Sequence, residues 1–271
     1  MTSPVPEHPA FYTVHGDDVF ESSSATESPW DEKLQHGGPP AALLARAVER
    51  VRPDPAMQIA RITVDILGGI PQGTIRTEAA IVRPGKRIEL IEARLWANDR
   101  LAVTATAWRI RTNPDSTRAQ VRDGGRSRNA VSVPAEQPHR YPSGVSPEWG
   151  YGRAIDWRPI DGGFDELGPA RVWTRLRIPL VAGEDSSPIQ RLLVVADSTN
   201  GLSSELPLSE WLFIPPTMTA TIQRPPESEW MLLDARTTIG SDGLGMAQSE
   251  MYDAHGLTAA VTQPLVVAPR T

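Results

Sequence analysis

Asp197 follows directly on an unbroken apolar run, Leu192 to Ala196, so a carboxylate arrives where a helix meets the core. Buried there without a cationic partner, it would hold its proton more tightly than an exposed acid, which suits a base or a water-orienting group. Gln263 interrupts a second apolar stretch, "AVTQPLVV", with a side chain that both donates and accepts. The third candidate is "QHGGPPAALLARAVERV", Gln35 to Val51. His36 titrates near neutrality, although a histidine beside a helix start is more often a cap or a packed residue. Gly37 and Gly38 present amides without side chains. Pro39 and Pro40 have no amide hydrogen and suit a first helical turn, so the two glycine amides, more than His36, are the groups expected to face a ligand.

Other chemistries lack their residues. The chain has no cysteine, hence no thiolate and no disulfide. It has no Gly-x-Ser-x-Gly elbow, and "GKR" lacks the glycine spacing and the Ser or Thr of a phosphate loop. His8, His15, His36, His139 and His255 show no metal-ligand spacing, so neither metal nor cofactor is expected. Arg83, Lys86 and Arg87 form a small basic turn that reads equally well as a phosphate contact or a solvated hairpin.

Two similar programmes of elements must position these groups. In the first half a helical pattern from Pro39 to Arg52 precedes "MQIARITVDIL", "TIRTEAAIVRP", "RIELIEARLWAND" and "RLAVTATAWRIR". Their period-two alternation, bounded by Gly-Gly, Pro-Gly and Asn-Asp, predicts antiparallel strands. In the second half Ser187 and Pro188 are placed as N-cap and first residue of a helix through "PIQRLLVVADSTNGL". "FIPPTMTATIQRPP", "SEWMLLDARTTIGS", "LGMAQSEMYDAHG" and "LTAAVTQPLVVAPR" follow it. Laid together without gaps, Trp96 falls on Tyr252 and Leu101 on Leu257, both pairs 156 residues apart, which predicts an internal duplication. By the same offset Gln263 falls on Ala107, an amide in one half where the other has a methyl. Asn200 and Gly201 predict a helix interruption after Asp197.

A Pro-, Ser-, Gly- and Arg-rich stretch separates the halves, giving the expected division 1–112, linker 113–146 and 147–271. With 39% hydrophobic and 22% charged residues the chain reads as globular. Its net charge of −6 gives no footprint for nucleic acid. No apolar run is long enough for a membrane span and no signal peptide is visible, so a cytoplasmic location is expected.

The order of elements, with "HGGPPAALL", "RPGKRIELIEARL", "VVADSTNGL", "QRPPESEWMLL" and "GLTAAVTQPLVV", resembles the double-hotdog acyl-CoA thioesterases from about Phe11 to Val267. The resemblance implies an α+β fold, two antiparallel sheets each wrapped around a central helix and joined into one continuous sheet. It implies hydrolysis of a fatty acyl-CoA by a water held by Asp197, a strand hydroxyl at Thr219 and Gln263, with Gly37, Gly38 and Thr217 near the substrate. Thr217 is also the alternative hydroxyl, and an apolar tunnel, which Trp30 could line, would take the acyl chain. The implied partner is acyl-CoA, and a homo-oligomer is compatible with it. Thr217-Met218 and Gln223 depart from the family's pattern. Two other functions share the scaffold: a non-catalytic acyl-CoA or acyl-chain binding protein, and an enoyl-CoA hydratase or dehydratase. The latter normally uses a His paired with a carboxylate, and no Asp-x-x-x-x-His run is present in either helix.

Overall fold

The computed structural model describes residues 8–113, 140, 146 and 148–270. Most of the expected linker therefore lies outside the described residues. In chain order the elements are β1 (Tyr12–Gly16), β2 (Val19–Ser22), α1 (Gly38–Arg50), β3 (Met57–Ile66), β4 (Thr74–Arg83), β5 (Ile88–Ala97) and β6 (Arg100–Arg111). After the linker come α2 (Gly150–Arg153), β7 (Ile155–Gly163), β8 (Glu166–Leu176), α3 (Pro188–Ala196), α4 (Thr199–Leu202), β9 (Trp211–Ile214), β10 (Thr217–Ile222), β11 (Met231–Ile239), β12 (Leu244–Asp253) and β13 (Gly256–Pro269).

The strands form one 13-stranded antiparallel sheet in the order β1-β2-β4-β5-β6-β3-β10-β13-β12-β11-β8-β7, with β9 added on β13. The order reads as one six-strand unit followed by its reverse. Its centre is the β3–β10 pair, where Thr63 lies opposite Thr219 and their hydroxyls share a hydrogen bond of 3.0 Å between residues 156 apart. Thus a local two-fold axis passes between equivalent residues of the two halves. The hairpins repeat in detail: β5–β6 shifts register between Leu95 and Trp96, and β12–β13 between Met251 and Tyr252. Equal bulges at equal places are what a duplicated hairpin predicts.

Alternation along the strands puts one face of the sheet against the helices. Ile62, Val64, Met218, Ala220, Ala259 and Val261 belong to one core with Leu43, Leu44, Leu192 and Val195. α1 is buried from Gly38 to Val48 because it lies between the sheet and α3, and its alanines permit that close approach. α3 starts as the sequence predicts, with Ser187 as N-cap, Pro188 first, and a capping box closed by Gln190.

The strand pattern missed several elements. β1, β2, β7 and β8 were not anticipated, and "FIPPTMTATIQRPP" is two strands, because Pro215 and Pro216 cannot donate to a ladder. β9 instead pairs with the end of β13, Ile214 opposite Val266. Among the described residues no helix is long and apolar enough to cross a membrane.

Candidate active site

The N-terminus of α1 meets the C-terminus of α3. Gly38 has to be a glycine there, since a Cβ would stand 2.0 Å from the Val194 carbonyl oxygen. α3 is interrupted at the same place. The Ser198 amide bonds to Val195 O at 3.0 Å, and the Val194 oxygen receives the Tyr151 hydroxyl at 2.8 Å. Thr199 Oγ1 donates to Ala196 O at 2.7 Å before α4 begins. The interruption expected at Asn200-Gly201 is not there, since Thr199–Leu202 is itself helical, with the Leu202 amide on Ser198 O at 2.9 Å; the break falls at Asp197-Ser198 instead. Side chains satisfy the carbonyls it releases.

That turn carries Asp197, only 6% exposed. Gln263 Nε2 donates to its Oδ1 at 2.9 Å, so the two residues singled out from the sequence do meet. Gln263 is fully buried, and its Oε1 has no hydrogen-bond partner among the described residues. On the other side Asp197 Oδ2 lies 3.3 Å from His36 Nδ1. Gly37 leaves room for this contact: a Cβ on it would sit 2.8 Å from Oδ2 and 2.9 Å from Ile66 Cδ1. The His36 ring stacks on Tyr151, centroids 3.9 Å apart and planes within 12°. Burial pushes the His36 pKa below its usual value, with the Asp197 charge acting in the opposite sense. The Gly38 amide donates to Nδ1 at 3.2 Å, which assigns the proton of the neutral ring to Nε2.

A cavity of about 410 Å³ opens against this cluster, in the size range of small-molecule sites. His36, Gly37 and Asp197 line it, and Trp149, Phe164 and Trp30 supply aromatic walls. Both halves contribute. The segment leading into α1 and the end of β3 come from the first, and α4 with the β9–β10 connection from the second.

Three expected residues lie elsewhere. Thr219 pairs with Thr63 and stands opposite exposed Thr262, on the face of the sheet away from the helices. Thr217 shares that face and donates to Val64 O at 3.0 Å. A two-residue shift preserves the face, so neither threonine can reach Asp197 from β10. The connection into β10 offers Ile214, Pro215 and Pro216 to the cavity instead, none with a hydroxyl. Gly38 does not line the cavity, and its amide is engaged by His36; Gly37 does line it, and its amide has no bond to a described residue. Lys86, of the basic turn, lines a different cavity with Arg52, Glu89 and Arg111.

His36 is buried and packed, as the sequence suggested for a histidine at a helix start, and it also meets Asp197; Tyr151 was not identified from the sequence. The signal for His36 was its position directly before two glycines at a helix start. Tyr151 left none, since its role depends on which elements cross.

Comparisons with known proteins agree with this architecture. Residues 26–110 match the acyl-CoA thioesterase N-terminal domain and residues 129–267 the acyl-CoA thioesterase C-terminal domain. A sequence comparison with curated proteins finds no match. Among solved structures, a hot dog fold protein of unknown function from Alicyclobacillus acidocaldarius superposes with a TM-score of 0.71 at 20% identity, over 96% of each chain. A putative thioesterase from Novosphingobium aromaticivorans gives 0.67 at 17% identity, covering 94% of this chain and 98% of that one. The acyl-CoA thioesterase II TesB2 from Mycobacterium marinum gives 0.64 at 17% identity, covering 94% and 93%. At such identities the structures establish the hotdog fold, while the matched domains span both halves of the duplicated chain: it belongs to the acyl-CoA thioesterase family, and is a thioester hydrolase.

Proposed function

We propose that the protein hydrolyses fatty acyl-CoA thioesters at the Asp197 turn, with the acyl chain in the aromatic cavity and water as the nucleophile. The observation that supports this most is a buried carboxylate on the cavity wall, held by an amide on one oxygen and facing an imidazole on the other. Asp197 is the proton acceptor. Gln263 holds it through the Nε2–Oδ1 hydrogen bond.

As water attacks the carbonyl carbon, its proton passes to Asp197, whose Oδ1 keeps the hydrogen bond from Gln263 Nε2. His36 and Gly37 line the cavity, and their Nε2–H and backbone amide are the donors assigned to the charge that develops on the thioester oxygen. Collapse of the tetrahedral intermediate breaks the C–S bond. Coenzyme A leaves as the thiolate, the weaker base of the two groups, and takes up a proton. No strand hydroxyl takes part, which distinguishes this reading from the Asp, Thr and Gln set that the resemblance implied.

Release of free thiol from acyl-CoAs of increasing chain length tests it. Asp197→Ala should lower kcat by about 10²- to 10⁴-fold and Gln263→Ala by a smaller factor. Wild-type rates in both variants would sink the proposed site. A second reading draws on the His36–Asp197 contact, which is the His-carboxylate pair that hydration of an enoyl-CoA uses. Loss of enoyl absorbance without thiol release would select it.

A further inference from the structure

The wall of the cavity beyond Asp197 is not uniformly apolar. Asn200 and Ser204 both line it, at 6% and 5% exposure. Asn200 Nδ2 donates to Phe213 O at 2.8 Å, which fixes the amide's orientation and leaves Oδ1 as an acceptor without a partner among the described residues. Ser204 uses its carbonyl for the Gly168 amide at 2.8 Å, while its Oγ has no partner there. Their polar neighbours are satisfied: Ser198 Oγ bonds to Tyr151, and Ser203 Oγ bonds to Thr199 O and Thr237. An acceptor and a hydroxyl without a hydrogen bond among the described residues thus belong to two residues of the wall along which the proposed acyl chain would lie. Buried polar groups are normally paired, so an apolar chain passing here would leave both unmade.

We propose that the preferred substrate is an acyl-CoA whose chain carries a hydroxyl group some carbons away from the thioester, donating to Asn200 Oδ1 and accepting from Ser204 Oγ–H. This rests on the hydrolytic reading of the site. A keto group would accept from Ser204 but set its own lone pairs against Asn200 Oδ1, so the pair selects a hydroxyl over a carbonyl. Asn200 lies about one helical turn beyond Asp197 and Ser204 further on, which places the hydroxyl within the chain and not next to the thioester carbon.

The test uses dodecanoyl-CoA, a series of hydroxydodecanoyl-CoAs with the hydroxyl moved along the chain, and the matching oxo compounds. Thiol release by the wild type should show at least one hydroxyl position with kcat/KM about tenfold or more above dodecanoyl-CoA and above its oxo counterpart. In Ser204→Ala that ratio should fall toward one. A wild type that handles the unsubstituted chain as well as every hydroxylated one overturns the proposal, as does a preference that survives Ser204→Ala. No thiol release from any of these compounds would instead defeat the hydrolytic reading. Dissociation constants of the same compounds for Asp197→Asn then decide the inference alone: a preference for a hydroxylated chain upholds it, and equal binding overturns it.

Discussion

The two ends of the helix pair are related by the local two-fold axis, yet they differ in what they do with a carboxylate. At one end Asp197, at the close of α3, faces Gly37, the N-cap of α1. At the other Glu49, in the last turn of α1, faces Ser187, the N-cap of α3. There the Ser187 hydroxyl donates to Glu49 at 2.8 Å and Gln190 Nε2 donates to it at 2.7 Å. A serine and a glutamine therefore occupy one carboxylate fully. A bare glycine leaves the other open to an imidazole and a cavity.

The surrounding strands diverge in the same sense. Gln263, which holds Asp197, corresponds to Ala107. Gly245 and Leu265, paired across β12–β13, correspond to Glu89 and Arg109, paired across β5–β6. Leu265 packs in one apolar cluster with Trp30 and Leu208, both of which line the Asp197 cavity, whereas Glu89 and Arg109 form a buried ion pair that Arg52 joins from outside. Breaking such a pair strands a charge, and the cavities at the first-half end are lined by it and by Arg52, Arg111 and Glu49, where the Asp197 cavity has aromatic walls. One backbone arrangement thus gives an apolar cavity beside an open carboxylate or charged hollows beside a paired one, and the side chain at an N-cap is one place where the two part.

The largest structural effect should come from Gly38→Ala. With 2.0 Å between the added Cβ and Val194 O the helices have to separate, and stability should fall by about 3 kcal/mol or more in denaturant titration. Gly37→Ser is the sharper experiment, because it places the closed end's residue at the open end. The added atoms meet Asp197 Oδ2, so kcat/KM for thiol release should drop by roughly 10²-fold, at a stability cost of about 1 kcal/mol. Retained activity would show that the N-cap does not separate the two ends.

His36 makes the open end acid-sensitive. Its pKa is lowered in the fold, so below about pH 6.5 the unfolded chain binds the proton first, and stability should decline as the pH falls through that window. A stability curve that stays flat on acidification in wild type, as in His36→Gln, would contradict a buried neutral imidazole. Glu49 makes the closed end base-sensitive to a smaller degree. Burial raises its pKa against the two hydrogen bonds, so the unfolded chain ionises first and stability falls as the pH rises from the unfolded toward the folded value. Glu49→Gln should therefore flatten the fall in Tm between pH 4 and pH 8, a difference that calorimetry resolves.

Much of this was legible because duplication imposes a register. The offset that laid Trp96 on Tyr252 is the one that the bulges and the Thr63–Thr219 pair obey, and it marked Gln263 as the residue breaking the symmetry. Asp197 was legible from its apolar run, and Ser187-Pro188 from capping chemistry. Thr219 and Thr217 were not correctly placed, because counting positions along a strand says nothing about which face the prolines ahead of it leave to each residue. The His36–Tyr151 stack and the closed end around Glu49 arise from helices crossing. Neither local propensity nor periodicity encodes such contacts.

The most direct test sets the two carboxylates side by side: kcat/KM for thiol release in Asp197→Asn and in Glu49→Gln, with acyl-CoA as substrate. A loss of about 10³-fold is expected in Asp197→Asn and less than about a twofold change in Glu49→Gln. Comparable losses in both, or none in Asp197→Asn, would contradict a site at Asp197.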